Sequence, residues 1–382
     1  MQAVSDTVKS AVETFVGPTQ VAGPDEWLKA DESEQREDDE DAKILRVGEL
    51  VHDMQRHNFD AHQHKFRGTH VKSLGFVKGS ITINPDLPPY LAHGLFANGG
   101  EGQGKTYDCI GRYANEPSFI LPDTTSAPRG FSLKIFGVQG ERLSPSPDGS
   151  TDQGTQDFLF NNAPIVELTD LNTTIEIFEL RTRYFDNPTR LNLELAKRSD
   201  RLKQFAPTML PNEYVVGSTF YSQSAFKFGP YACKFSLLPI SKFQEEFKGQ
   251  TIPKDASPTF HRDHIRSYYS TNPTEYKLRA QFASDLSKQP VEDASVEWNE
   301  SYAPWYDLAT LKFPAQETFS DERRVWWEDR IGLSPWDGLK DHRPLGSINR
   351  LRHKAYEMSR AYREKGNQAK VYLPLKVDDM PN

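Results

Sequence analysis

Three side chains near the C-terminal end are spaced to act together: Arg352, Tyr356 and Arg363, within Ser347-Ile-Asn-Arg-Leu-Arg-His-Lys-Ala-Tyr-Glu-Met-Ser-Arg-Ala-Tyr-Arg363. At about 100° per helical residue, Tyr356 lies roughly 40° and Arg363 roughly 20° around the axis from Arg352. One helix face therefore carries a phenol between two guanidiniums. A phenol titrates near ~10, and an adjacent guanidinium stabilises its anion. A phenolate is a hard anionic ligand able to hold ferric iron. Ile348, Leu351, Ala355, Met358 and Tyr362 form an apolar stripe roughly 80° away, so the trio borders the buried side of the helix. Taken by itself, the segment reads first as a surface Arg–Tyr pair on an ordinary helix.

Other segments invite a chemical reading. Gly99-Gly-Glu-Gly-Gln-Gly104-Lys105-Thr106 satisfies the phosphate-loop string G-x-x-x-x-G-K-[ST]. That chemistry also needs a buried strand before the loop and a helix after it. Tyr107-Asp-Cys-Ile-Gly-Arg-Tyr113 reads as a strand, so a glycine-rich turn is the better account. His62 and His64, two residues apart, could meet one metal from a strand, but no regularly spaced third and fourth ligand follows. There is no Gly-x-Ser-x-Gly elbow, and Cys109 and Cys233 lack a nucleophile's setting. His70, with Arg67 three residues before it, could be a base beside an anion anchor; a hydrogen-bonded structural histidine is the blander alternative.

The elements that would position these groups can be sketched. With 382 residues, 23 Phe, 15 Tyr and 6 Trp, the chain can bury a substantial core although only 36% is hydrophobic. A net charge of −8 gives no reason to expect nucleic acid or an anionic membrane as partner. Two cysteines fit a reducing compartment, and no stretch reaches ~18 apolar residues, so a soluble cytoplasmic protein without integral membrane association is expected. Residues 1–60 read as a polar helical arm whose acidic run Asp31–Asp41 is expected to be solvated and mobile. From about 68 to 240, short β-branched and aromatic runs favour an antiparallel sheet or barrel: Ile81–Ile83, Phe131–Phe136, Pro164–Leu168, Tyr214–Val216 and Lys234–Leu238. Residues 170–205 look like a helical insertion, 260–320 are mixed, and 321–366 are mostly helical, with Gly366 the expected C-cap.

Five segments, in order, resemble catalases and catalase-related haem proteins. Arg67-Gly-Thr-His70-Val-Lys is similar to their Arg-x-x-His-x-Lys-Gly. Arg112-Tyr-Ala-Asn115 resembles Arg-Phe-Ser/Ala-Asn, and Pro128–Val138 resembles the Arg-Gly-x-Ala-x-Lys strand. Gln156-Asp-Phe-Leu-Phe-Asn-Asn-Ala-Pro164 resembles the stretch with the distal asparagine, and Ser334–Arg352 the approach to Arg-x-x-x-Tyr. The resemblance spans about 60–366 and points to the short branch of that superfamily. It implies an α+β fold, an antiparallel β-barrel of catalase type with surrounding helices. Residues 1–60 would then be the acidic arm, 61–320 the barrel with its insertion, and 321–382 the helical segment with the proximal ligand.

The resemblance also implies haem b with ferric iron. Tyr356 would be the axial phenolate and Arg352 its neutralising partner, with Arg67, Arg112 and Arg363 on the propionates. His70 would move a proton between peroxide oxygens, and Asn161 or Asn162 would orient the peroxide. Ser73 stands where the family has glycine, and Val166 and Glu167 replace two phenylalanines, predicting a more open or more polar distal pocket. Thr69 precedes His70 as in the allene oxide synthases of the superfamily. The expected activity is hydroperoxide breakdown on a small-molecule peroxide, limiting oxidative stress. Alternatives are hydroperoxide rearrangement and, more weakly, non-catalytic haem binding. Relatives commonly form dimers or tetramers, so a homo-oligomer is expected by analogy.

Overall fold

In the computed structural model, which describes residues 21–97 and 104–382, long alternating segments pair as antiparallel neighbours. The strands are β1 (Ser73–Ile83), β2 (Thr106–Asn115), β3 (Arg129–Gln139), β4 (Gln153–Asn161), β5 (Phe220–Tyr221), β6 (Phe226–Phe228), β7 (Tyr231–Pro239), β8 (Thr274–Phe282) and β9 (Trp305–Phe313). Their order is β5-β4-β3-β2-β1-β9-β8-β7-β6, and β5 also pairs with β7. Asn161 opposes Tyr221 while Phe220 opposes Leu237, so β5 closes eight strands into a barrel and leaves β6 as a flap on β7. Closure removes the unpaired edges an open sheet would expose. Tyr113, Phe131, Phe220, Tyr276 and Phe313 are buried together in the barrel's core.

Among the described residues, eight α-helices surround the barrel: α1 (Glu40–His62), α2 (Leu171–Arg183), α3 (Pro188–Ala196), α4 (Arg201–Met209), α5 (Lys242–Glu245), α6 (Phe260–Tyr269), α7 (Asp321–Val325) and α8 (Ser347–Asn367). The insertion between β4 and β5 starts where the Asp170 carboxylate accepts from the Thr173 N–H at 2.8 Å. Such a cap stabilises a helix by about 1 kcal/mol. Helices α1, α2 and α8 share a second core: Val47, Val51, Phe178 and Leu351 pack there. The cavity described below lies between this layer and the barrel.

Four expectations need correction. Pro164–Leu168 is a loop, because Pro164 interrupts the strand pattern and the bond from the Val166 N–H to the Ala294 carbonyl at 3.0 Å is not continued into a ladder. Val215–Gly217 is a single 3-10 turn. Gly366 lies inside α8, which ends at the left-handed Gln368; a Cβ at Gly366 would collide with the Lys65 side chain at 1.7 Å. The acidic run is exposed at Asp31, Glu32, Glu37, Asp38, Asp39 and Asp41, as expected, but it is also tied down at three carboxylates. Arg350 binds Glu34 and Glu40, both at 2.6 Å, and Arg343 binds Glu34 at 2.7 Å. Lys227 holds Asp31 at 2.7 Å. Residues 1–20 of the expected arm lie outside the described residues.

Candidate active site

His70 sits between α1 and β1 with φ +53, in the left-handed region that few non-glycine residues occupy. Two bonds hold it there: its N–H donates to the Glu116 carbonyl at 2.9 Å, and its carbonyl accepts from Arg112 at 2.7 Å. Its ring lies over Gly130 of β3, where a Cβ would come within 2.5 Å of the imidazole. The ring nitrogens have no hydrogen-bond partner among the described residues. Burial, followed by the charges of Arg112, Arg352 and Arg67, pushes the imidazole pKa down to about 3. His70 is thus neutral across the physiological range and able to accept a proton.

Asn161 opposes Gly130 across the β3–β4 ladder, which brings it next to the His70 ring. Its Oδ1 accepts from Ala163 at 3.3 Å, and its side-chain NH2 has no protein partner. Asn162 faces elsewhere: its Oδ1 accepts from the Arg129 N–H at 2.7 Å and clasps the start of β3. Asn161 lines the cavity with Thr69 and His70; Asn162 does not. Val166 lines it too, whereas Glu167 turns away to Arg181 at 2.9 Å.

Helix α8 supplies the opposite wall. Arg352, Tyr356 and Arg363 all line the cavity, joined by Ser359 and Arg360. The Arg352 guanidinium stands 5.7 Å from the centre of the Tyr356 ring, and the phenol has no hydrogen bond among the described residues. Arg352 is aimed by Asn349, whose Oδ1 accepts from it at 2.9 Å and from Ser224 at 3.0 Å. The Asn349 NH2 donates to the carbonyls of Ala225 and Leu345 at 2.7 and 3.0 Å, so this buried amide is fixed on both sides. Arg67 and Arg363 reach the Glu328 carbonyl at 3.3 and 2.6 Å, and Arg67 also donates to Trp327. Those acceptors belong to a π-helical turn, Trp326–Arg330, the kind of local widening found at many functional sites. Arg112 is held by the Ser73 hydroxyl at 2.9 and 3.1 Å.

The cavity has a volume of about 230 Å³ and is lined by Arg67, Arg112, Arg352, Arg360, Arg363 and a single carboxylate, Glu116. Burial lowers the pKa of Arg112 to about 9, and burial followed by the charge of Arg67 lowers that of Arg363. The Arg363 Nε is buried with no partner at all. A cluster of like charges with an orphaned donor is costly unless an anion enters it.

Sequence reasoning passed over Arg360, Asn349 and Glu116. Arg360 follows Tyr356 by four residues and Asn349 precedes Arg352 by three, so helical spacing could have found both. Glu116 follows a strand and carries no periodic signal. The remaining motifs stay apart from the cavity. His64 pairs with Asp329 at 2.9 Å. Among the described residues no three His, Cys, Asp or Glu side chains gather as a metal site, and no helix is long and apolar enough to cross a membrane. Thr106 opens β2 rather than a helix, so the phosphate-loop string lacks the element it needs; Gly99 to Gln103 lie outside the described residues.

No protein-family profile matches the sequence, and no curated protein does. Solved structures do match. A fungal catalase superimposes with a TM-score of 0.59 at 15% identity, over 85% of this chain and 67% of its own. Catalase A from Saccharomyces cerevisiae superimposes at 0.58 and 13% identity, over 82% of this chain and 64% of its own. The chain has the catalase fold. It spans about two thirds of the length of those two catalases, and at such identities the likeness concerns the catalase fold alone.

Proposed function

We propose that the cavity holds haem b and that the protein breaks down hydroperoxides. The observation that carries this reading is the pairing of a cationic, phenol-bearing wall with a neutral histidine and a free amide across one cavity. The residues fit the group. Arg67, Arg112 and Arg363, with the unpartnered Arg363 Nε, would hold two carboxylates. The unbonded Tyr356 phenol would be the metal ligand, and Arg352 would stabilise its anion. Val51, Leu333 and Leu351 offer apolar walls to a flat macrocycle.

Bound haem would supply a redox-active iron that drives cleavage of the O–O bond. The chain's own groups do the rest. His70 accepts the proton of one peroxide oxygen and returns it to the other, so that water or an alcohol leaves. The Asn161 NH2 donates to the peroxide and orients it. Gly130 keeps the imidazole flat against β3, limiting the orientations it can sample.

Rearrangement of an organic hydroperoxide is the second reading. Thr69 favours it, because it lines the cavity beside His70 and its hydroxyl has no protein partner. Two measurements test the pair of readings. Haem added to the purified protein should give a Soret band that Tyr356→Phe shifts or abolishes; an unchanged spectrum removes the axial assignment. Oxygen evolution from hydrogen peroxide is then compared with consumption of a fatty-acid hydroperoxide, for wild type and Thr69→Val. Rapid oxygen evolution by the wild type sets rearrangement aside.

A further inference from the structure

Among the described residues Glu116 is the one carboxylate lining the cavity, and nothing in the reaction outlined above uses it. It follows β2 directly and is fixed by its backbone: its N–H donates to the Pro128 carbonyl at 3.0 Å, and its carbonyl accepts from His70 at 2.9 Å. Its side chain has neither a hydrogen bond nor an ion pair among the described residues. The charged groups facing it are Arg129 on β3, Arg181 on α2 and Glu167 in the loop before α2; the neutral His70 lines the same cavity. Both arginines have other partners, although the Arg129 Nε is buried without one among the described residues. Arg181 binds Glu167 at 2.9 Å, and Arg129 donates to Asn212 at 2.9 Å and to the carbonyls of Asp123 and Thr125 at 3.3 and 3.2 Å. A deep carboxyl with no bonded partner, opening onto the same space as His70, is free to exchange its proton with whatever enters.

We propose that Glu116 is a second proton-exchanging group of the cavity, working beside His70, and that its charge decides whether the distal side admits an anion. Protonated, it donates its hydrogen to a ligand oxygen or nitrogen and becomes a carboxylate, which solvent reprotonates. Ionised, it repels an anionic ligand across a space of low dielectric. Burial, then the Glu167 charge, raises its pKa to about 7, whereas His70 titrates far lower. The two groups therefore change charge in separate pH ranges, and only Glu116 does so near neutrality. The ligand-selection part rests on the haem reading; the proton-exchange part does not.

The haem-free protein is titrated first, by infrared spectroscopy of its carboxyl groups from pH 5 to 9. Wild type is expected to lose a protonated-carboxyl band with a midpoint near 7 that is missing from Glu116→Gln, beside that of Asp157, which burial also raises to about 7 and which stays in the variant. A wild type with no carboxyl titrating there, or a titration that Glu116→Gln leaves unchanged, overturns the proposal. The haem-reconstituted protein is then titrated with azide, an anion, and nitric oxide, which is neutral, following the Soret band. In wild type the azide affinity should fall about tenfold per pH unit above the midpoint, as one proton is taken up with each anion, while nitric oxide binding stays level. Glu116→Gln should flatten the azide slope, and Glu116→Asp should keep it. A slope that persists in Glu116→Gln overturns the anion-gating role. Failure to bind haem at all would count against the haem reading, with the infrared titration still deciding whether Glu116 exchanges its proton.

Discussion

Two groups of buried charges lie within this molecule, one in the barrel wall and one in the cavity. In the wall, the Lys134 ammonium donates to both Asp157 oxygens at 2.6 and 2.8 Å, and Asp157 also accepts from the Ser334 N–H at 3.1 Å. Nearby, the Tyr113 hydroxyl meets those of Tyr276 and Tyr269 at 2.9 and 3.0 Å. The cavity is built otherwise. Five guanidiniums face one carboxylate, an Arg363 nitrogen is orphaned, and the His70 ring, the Tyr356 phenol and the Asn161 amide have open valences. Both groups are deep in the fold, so depth does not distinguish them. Satisfaction does: a closed polar network holds the structure, and an open one waits for a ligand.

The contrast can be broken at its strongest point first. Lys134→Ala leaves Asp157 buried without its cation and should cost about 3–5 kcal/mol of stability. Urea unfolding measures it, and the double change Lys134→Met with Asp157→Leu should recover most of the loss. A loss no larger than that of a surface substitution would mean that the wall pair is not what holds its surroundings. Arg363→Met should behave in the opposite way. Haem-free stability should hold or rise, because a crowded guanidinium is gone, while haem affinity should drop about ten- to a hundredfold, the value of a charged hydrogen bond of about 1.5–3 kcal/mol. A large loss of haem-free stability would place Arg363 with the wall.

The smallest effect per step is the slope of a pH dependence. His70, His264 and His342 are held neutral by burial, with pKa values of about 3, 4 and 4. The unfolded chain takes up protons from about pH 6.5 downward, so stability should decline as pH falls from there toward 4. Each histidine contributes at most about 1.4 kcal/mol per pH unit. His342 sits among Phe96, Phe158 and Phe235 with its Nε2 accepting from the Leu95 N–H at 3.0 Å. His342→Gln should flatten the curve of urea midpoint against pH; an unchanged curve would assign the loss to other groups.

Much of this arrangement was legible from residue types in order. Alternating runs marked β1, β3 and β7, and helical spacing placed Arg352, Tyr356 and Arg363 on one face, where the cavity finds them. The failures share a cause. Pro164–Leu168 and Tyr214–Val216 have strand-like composition, but a strand is defined by a ladder, and the bonds from Val166 to Ala294 and from Tyr214 to Gln250 are not continued into one. The acidic run looked solvated because its cations, Arg343 and Arg350, are about 300 residues away. Glu116 was invisible for the same reason: its isolation is a property of what surrounds it. Of the two adjacent asparagines, only the ladder register, Asn161 opposite Gly130, shows which one faces the cavity.

The acidic clasp on Arg350 has a consequence for how the site is made. Glu40 and Arg350 are 310 residues apart, so the segment carrying Glu40 leaves the ribosome long before its partner does. Contacts this distant form late, after the loop between them has been ordered. The barrel can fold while translation continues, but the helix bearing Tyr356 is anchored only after residue 350 has emerged. The cavity is thus complete only once α8 is in place, and a ligand loaded before that moment would find the barrel without its α8 wall.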